Sequence, residues 1–137
     1  MRVETVRAKA KKAKPARERK TGASRTTPRL RIVMGEGLIL GPGKVDLIEA
    51  IERKGSISAA SREMGMSYRR AWLLVDALNS MFGRPIVTAA PGGSKGGGAE
   101  VTELGRSIAK AYRRIEQRTR AAIHEELAPF YPDLDSK

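Results

Sequence analysis

Apolar residues fall into short blocks of differing period, punctuated by glycine, proline and serine. Leu30 to Met34 reads as a strand, Gly35-Glu36-Gly37 supplies a turn, and Leu38-Ile39-Leu40 follows as a second strand, so a small hairpin is predicted. Gly41-Pro42-Gly43 breaks the chain. From Lys44 to Lys54, Val45, Leu47, Ile48 and Ile51 recur at helical spacing until Gly55 stops them. Ser56 or Ser58 caps a second helix, Ile57 to Met64, whose small residues Ala59, Ala60 and Ser61 permit close approach by a neighbour. After Gly65-Met66, Ser67 caps a third helix reaching about Met81, with Ala71, Leu74, Val75 and Leu78 inward.

Gly83-Arg84-Pro85 interrupts the chain again. Ile86–Ala90 and Ala99–Val101 read as strands around a glycine-rich tip, Pro91 to Gly98. Thr102 caps a final helix to about Leu127, striped by Leu104, Ile108, Ala111, Tyr112, Ile115, Ala122 and Ile123 and ended by Pro129 and Pro132. Two helices joined by a short glycine-containing turn are a helix-turn-helix, and the following hairpin is a wing. The fold class is α+β, mainly α: a winged helix-turn-helix with an N-terminal β-hairpin and a long C-terminal helix. That helix is longer than so small a core needs, so part of its stripe (Leu104, Ile108, Tyr112, Ile115) is predicted to meet a second subunit, giving a homodimer.

Charge sharpens the picture. The 137 residues carry a net charge of +12. Between Met1 and Arg31 there are 12 basic and two acidic residues, a balance of +10; the remainder has 15 and 13, leaving +2. Three domains follow: residues 1–29 as a basic arm disordered when free, 30–128 as the winged helix-turn-helix with its dimerisation helix, and 129–137 as a tail. The arm, with Lys11, Lys12 and Arg17, reads as a cation track for nucleic-acid phosphate, as a solubilising tail, or as an Arg-rich transit peptide.

Zero cysteines and the single histidine, His124, argue against disulfides, thiol catalysis, the usual zinc sites and a Ser-His triad. The glycine tip fails the phosphate-loop test, because Lys95 follows Ser94 and precedes Gly96. Glu100, Glu103, Glu125 and Glu126 read as solvated helix or strand positions. No catalytic residue, cofactor or metal is expected. No apolar run reaches the roughly 18 residues of a membrane span, and no signal sequence opens the chain, so a prokaryotic cytoplasmic, nucleoid-associated location is expected. Trp72 and Tyr112 read as core or interface aromatics, whereas Tyr68, at the helix start, is expected to be exposed.

Gly55-Ser56-Ile57-Ser58-Ala59-Ala60, Met66-Ser67-Tyr68-Arg69-Arg70-Ala71-Trp72, the tip Gly92 to Gly98 and Val101-Thr102-Glu103-Leu104-Gly105 together resemble the N-terminal DNA-binding domain of ModE-type, molybdate-responsive transcription regulators. Their helix-turn-helix is related to that of LysR-type regulators. The resemblance covers roughly Leu30 to Leu127. It implies a homodimer on double-stranded DNA, with the third helix in the major groove. Ser67, Tyr68, Arg69 and Arg70 would lie near bases or phosphates, Ser56 and Ser58 beside them, and Ser94 and Lys95 of the wing along an adjacent backbone. The family's oxyanion-sensing domains would follow the long helix, and this sequence stops at Lys137, so binding of molybdate or another oxyanion effector is not expected. An architectural, nucleoid-coating protein with little base preference is the competing reading.

Overall fold

Chain punctuation sets the element boundaries in the computed structural model, which describes residues 27–90, 97–131 and 133–134. Strands β1 (Ile32–Met34) and β2 (Leu38–Leu40) pair antiparallel, with Val33 opposite Ile39. Gly35 and Gly37 both take positive φ, 69° and 84°, in the connecting turn.

Helix α1 spans Pro42–Lys54, two residues longer at its start than the pattern predicts. Pro42 does not break the helix. It occupies the first turn, where its fixed φ suits the helix and its missing N–H costs nothing. Val45, Leu47, Ile48, Ala50 and Ile51 are buried along one side. Helix α2 (Ile57–Met64) starts where Ser56 Oγ accepts from the Ala59 N–H at 3.0 Å. It buries Ile57, Ala60 and Ser61; the Ser61 hydroxyl donates to the Ser58 carbonyl, which satisfies it away from water. Helix α3 (Tyr68–Phe82) is capped by Ser67 and buries Ala71, Val75 and Leu78.

Strands β3 (Val87–Ala90) and β4 (Gly98–Val101) pair antiparallel as the wing, with Val87 opposite Val101 and Ala90 opposite Gly98. Helix α4 (Glu103–Leu127) follows directly. Backbone groups fasten the wing at both ends. The Ala99 N–H donates to the Gly55 carbonyl at 2.9 Å, Ser56 bridges Gly98, and the Thr102 N–H donates to the Ile86 carbonyl at 2.9 Å.

The compact unit Pro28–Thr119 contains both hairpins, α1 to α3 and most of α4, around a core that includes Leu47, Ile48, Ile51, Leu78 and Ile86. Tyr112 belongs to that core: it is 1% exposed, and its hydroxyl donates to the Leu30 carbonyl at 2.7 Å, tying α4 to the segment before β1. Arg113 ties α4 to α1. Its guanidinium reaches Asp46 at 2.6 Å, Glu49 at 2.8 Å and Glu116 at 3.0 Å. Its hydrogen bonds to Glu49, above all, hold its pKa well above the ordinary arginine value. In the second unit, the described residues from Arg120 on complete α4 and then turn, the Phe130 and Tyr131 N–H groups donating to the Leu127 carbonyl.

Candidate nucleic-acid interface

Ser67 sits in extended backbone geometry, and its Oγ accepts from the Arg70 N–H at 3.0 Å, closing the first turn of α3. That turn contains no acidic residue. Arg69 and Arg70 are exposed there, and neither guanidinium joins an ion pair among the described residues. Elsewhere carboxylates and cations do pair: Glu63 with Arg53 and Lys54, Glu52 with Arg106, and Asp46, Glu49 and Glu116 with Arg113. Free positive charge is thus left where the helix dipole is itself positive, an arrangement that suits an incoming anion.

Of the residues singled out from sequence, Ser67, Tyr68, Arg69 and Arg70 share this exposed turn. Ser56 and Ser58 are half-buried at the start of α2. Ser56 caps that helix and meets the wing, and Ser58 Oγ accepts from Arg62 Nη1 at 3.1 Å. Lys11, Lys12, Arg17, Ser94 and Lys95 lie outside the described residues.

The dimer candidates divide. Ile115 is 40% exposed, whereas Leu104 and Ile108 are partly buried against the core of their own chain. Tyr112 is a correction. Fully buried and hydrogen-bonded within its own protomer, it has no surface to offer a second subunit.

Trp72, expected as a core or interface aromatic, is not part of the core of its own chain. It is 44% exposed, and its indole N–H donates to the Tyr68 hydroxyl at 2.7 Å. Position 72 is one residue past Ala71, off the inward stripe 71-75-78 and on the face shared by Tyr68 and Arg69. Helical spacing alone carried that signal.

Asn79 was not singled out. Its Oδ1 accepts from the Ile86 and Val87 N–H groups at 2.7 and 3.2 Å, and its Nδ2 donates to the Val87 carbonyl at 3.3 Å. One amide therefore clamps the base of the wing to α3. Nothing in the sequence between them marks this pairing.

Among the described residues no cluster of His, Cys, Asp and Glu could hold a metal ion, and no helix is long and apolar enough to cross a membrane. No family model matches the chain. It is similar to the molybdenum-pterin-binding protein MopB of Rhodobacter capsulatus, 51% identical over 99 residues, covering 72% of this chain and 35% of that protein. The molybdenum transport protein ModE of Azotobacter vinelandii is 36% identical over 101 residues, covering 74% and 37%. The DNA-binding transcriptional dual regulator ModE of Escherichia coli K12 is 31% identical over 88 residues, covering 64% and 34%. The chain thus spans about a third of the length of these relatives. In fold, it is similar to the DNA-binding domain of CbnR solved in complex with DNA, with a TM-score of 0.50, 20% identity, and coverage of 64% of this chain and 95% of that one. The likeness is one of fold.

Proposed function

Because this chain is a relative of the ModE-type molybdenum regulators, we propose that it is a DNA-binding transcription regulator, without enzymatic activity, that works as a homodimer on a specific duplex sequence. The observation that carries the proposal is the Arg69–Arg70 dipeptide, outside every ion pair among the described residues, at the exposed start of α3, the second helix of a helix-turn-helix. Arginine suits that place. Its planar fork binds guanine edges or phosphate oxygens in bidentate fashion.

In this reading α3 enters the major groove, presenting Ser67, Tyr68, Arg69 and Arg70. The wing, with Ser94 and Lys95 at its tip, follows the adjacent backbone, and Ser56 and Ser58 lie beside it. The arm of residues 1–29, including Lys11, Lys12 and Arg17, lies on phosphates. The winged domain, residues 30–128, pairs with its copy through the exposed side of α4 around Ile115, with Leu104 and Ile108 lending what surface they retain. Residues 129–137 form the tail. The site of action is the prokaryotic cytoplasm, on the nucleoid.

Selection of bound duplexes from a random library, followed by competition, tests this reading. The selected duplex is expected to be palindromic and preferred by roughly 10³-fold or more over random sequence. Arg69→Ala and Arg70→Ala are each expected to cost on the order of 1–3 kcal/mol where a bidentate base contact is lost. The concentration of charge in residues 1–31 favours one rival, an architectural protein with little base preference. Loss of all binding on deleting the arm, with both arginine variants unaffected, would establish that rival instead.

A further inference from the structure

Three large side chains on the outer face of α3 are more exposed than an ordinary solvated helix requires. Tyr68 is 52%, Trp72 44% and Leu73 58% exposed. The aromatic pair is held in place: the Trp72 indole N–H is satisfied by the Tyr68 hydroxyl one turn earlier, so the remaining exposed surface of the indole is apolar. Arg69 lies three residues before Trp72 and four before Leu73, on the same stripe.

The patch is therefore an apolar strip with Arg69 and Arg70, which have no carboxylate partner among the described residues, toward the start of the helix and the exposed Asp76 at the strip's far end. Whatever covers it must offer apolar groups flanked by negative charge. The major groove of DNA does so at one base, since thymine alone presents a C5-methyl there, between two rows of phosphates. Arginines then hold the backbone or guanine while the apolar strip covers methyl groups.

We propose that Trp72, braced by Tyr68 and extended by Leu73, is a specificity-determining surface that reads thymine methyl groups in the major groove. The inference deepens the DNA-binding reading and rests on it. It names the chemical feature recognised at the second turn of α3, where the arginines of the first turn contribute nothing.

The test uses the full chain and the duplex enriched from a random library, synthesised either with thymine or with deoxyuridine at every thymine of the half-site. The two duplexes have the same hydrogen-bonding pattern and differ only by methyl groups. Affinity is expected to fall about fourfold for each methyl that the protein covers, the loss expected for one methyl-sized apolar group. Trp72→Ala is expected to bind the two duplexes within about twofold of each other. Trp72 is the single tryptophan, so its emission is expected to change on binding the thymine duplex.

An enriched duplex that binds equally well with uracil overturns the inference and leaves the DNA-binding reading intact. The strip would then belong to a protein partner. A library that yields no enriched sequence overturns both. The comparison on the unaltered chain decides the matter even if Trp72→Ala fails to fold.

Discussion

Gly105→Ala measures how rigidly the wing is seated on α4. A Cβ at Gly105 would lie 2.7 Å from the Ile86 carbonyl oxygen, 2.8 Å from Val101 Cγ1 and 3.0 Å from Ile86 Cγ2. The nearest of these is backbone, and it is not free to move. That oxygen accepts from the Thr102 N–H at 2.9 Å and the Thr102 hydroxyl at 3.2 Å, while the Ile86 N–H is held by Asn79. Relief must therefore displace the wing base or break its anchors. Overpacking of this kind costs about 1–3 kcal/mol. Alanine recovers at most about 1 kcal/mol of helix propensity, less in a first turn. The net expectation is destabilisation by about 1–2 kcal/mol, a fall in Tm of about 5–10 °C for a domain of this size. Gly43→Ala is the matched control. It also sits in the first turn of a helix, but a Cβ there meets nothing within 4 Å, so up to about 1 kcal/mol of stabilisation is expected. Denaturant melts of the two variants should move in opposite directions. A stabilising Gly105→Ala would refute the packing argument outright.

Asn79→Leu is expected to cost about 1–3 kcal/mol by leaving the buried Ile86 N–H without its acceptor, and Asn79→Asp, which keeps an acceptor, should lose less; equal melts for wild type and Asn79→Leu would count against the clamp. Burial, with a contribution from Glu116, raises the Tyr112 phenol above its ordinary value of 10.0. Below that pH both states keep the proton. Above it the unfolded chain ionises first and binds fewer protons, so stability should fall as pH rises through the folded value. Tyr112→Phe should flatten that part of the profile, and an unchanged slope would remove Tyr112 as its source. Removing residues 1–29 should make the dependence of log K on log salt shallower by about five units if the arm covers about six phosphates; an unaltered slope would make the arm a bystander.

The local elements were legible because each boundary is written by residues with a strong intrinsic preference. Ser56, Ser67 and Thr102 each accept a backbone N–H at the helix they cap, and Gly55, Gly65 and Gly83 each end a helix at positive φ. The inward stripe Ala71, Val75, Leu78 is a matter of period alone, and it is buried as the spacing requires. The motif residues around Ser67 to Arg70 were equally legible, since cap and cations lie within one turn and need no distant partner to be exposed.

Contacts between residues far apart in sequence were not encoded in any local pattern. Tyr112 lies on the apolar stripe of a long helix, and only the approach of the Leu30 carbonyl, 82 residues away, places it in its own core instead of at a subunit interface. Asn79 reads as an unremarkable helix residue until the wing base arrives beside it. Period fixes which side of a helix a residue occupies, whereas what that side meets depends on how the chain returns to it. That is why the sequence alone determined the elements, their caps and the cationic start of α3, and only tertiary structure decided the burial of Tyr112 and the anchoring of the wing.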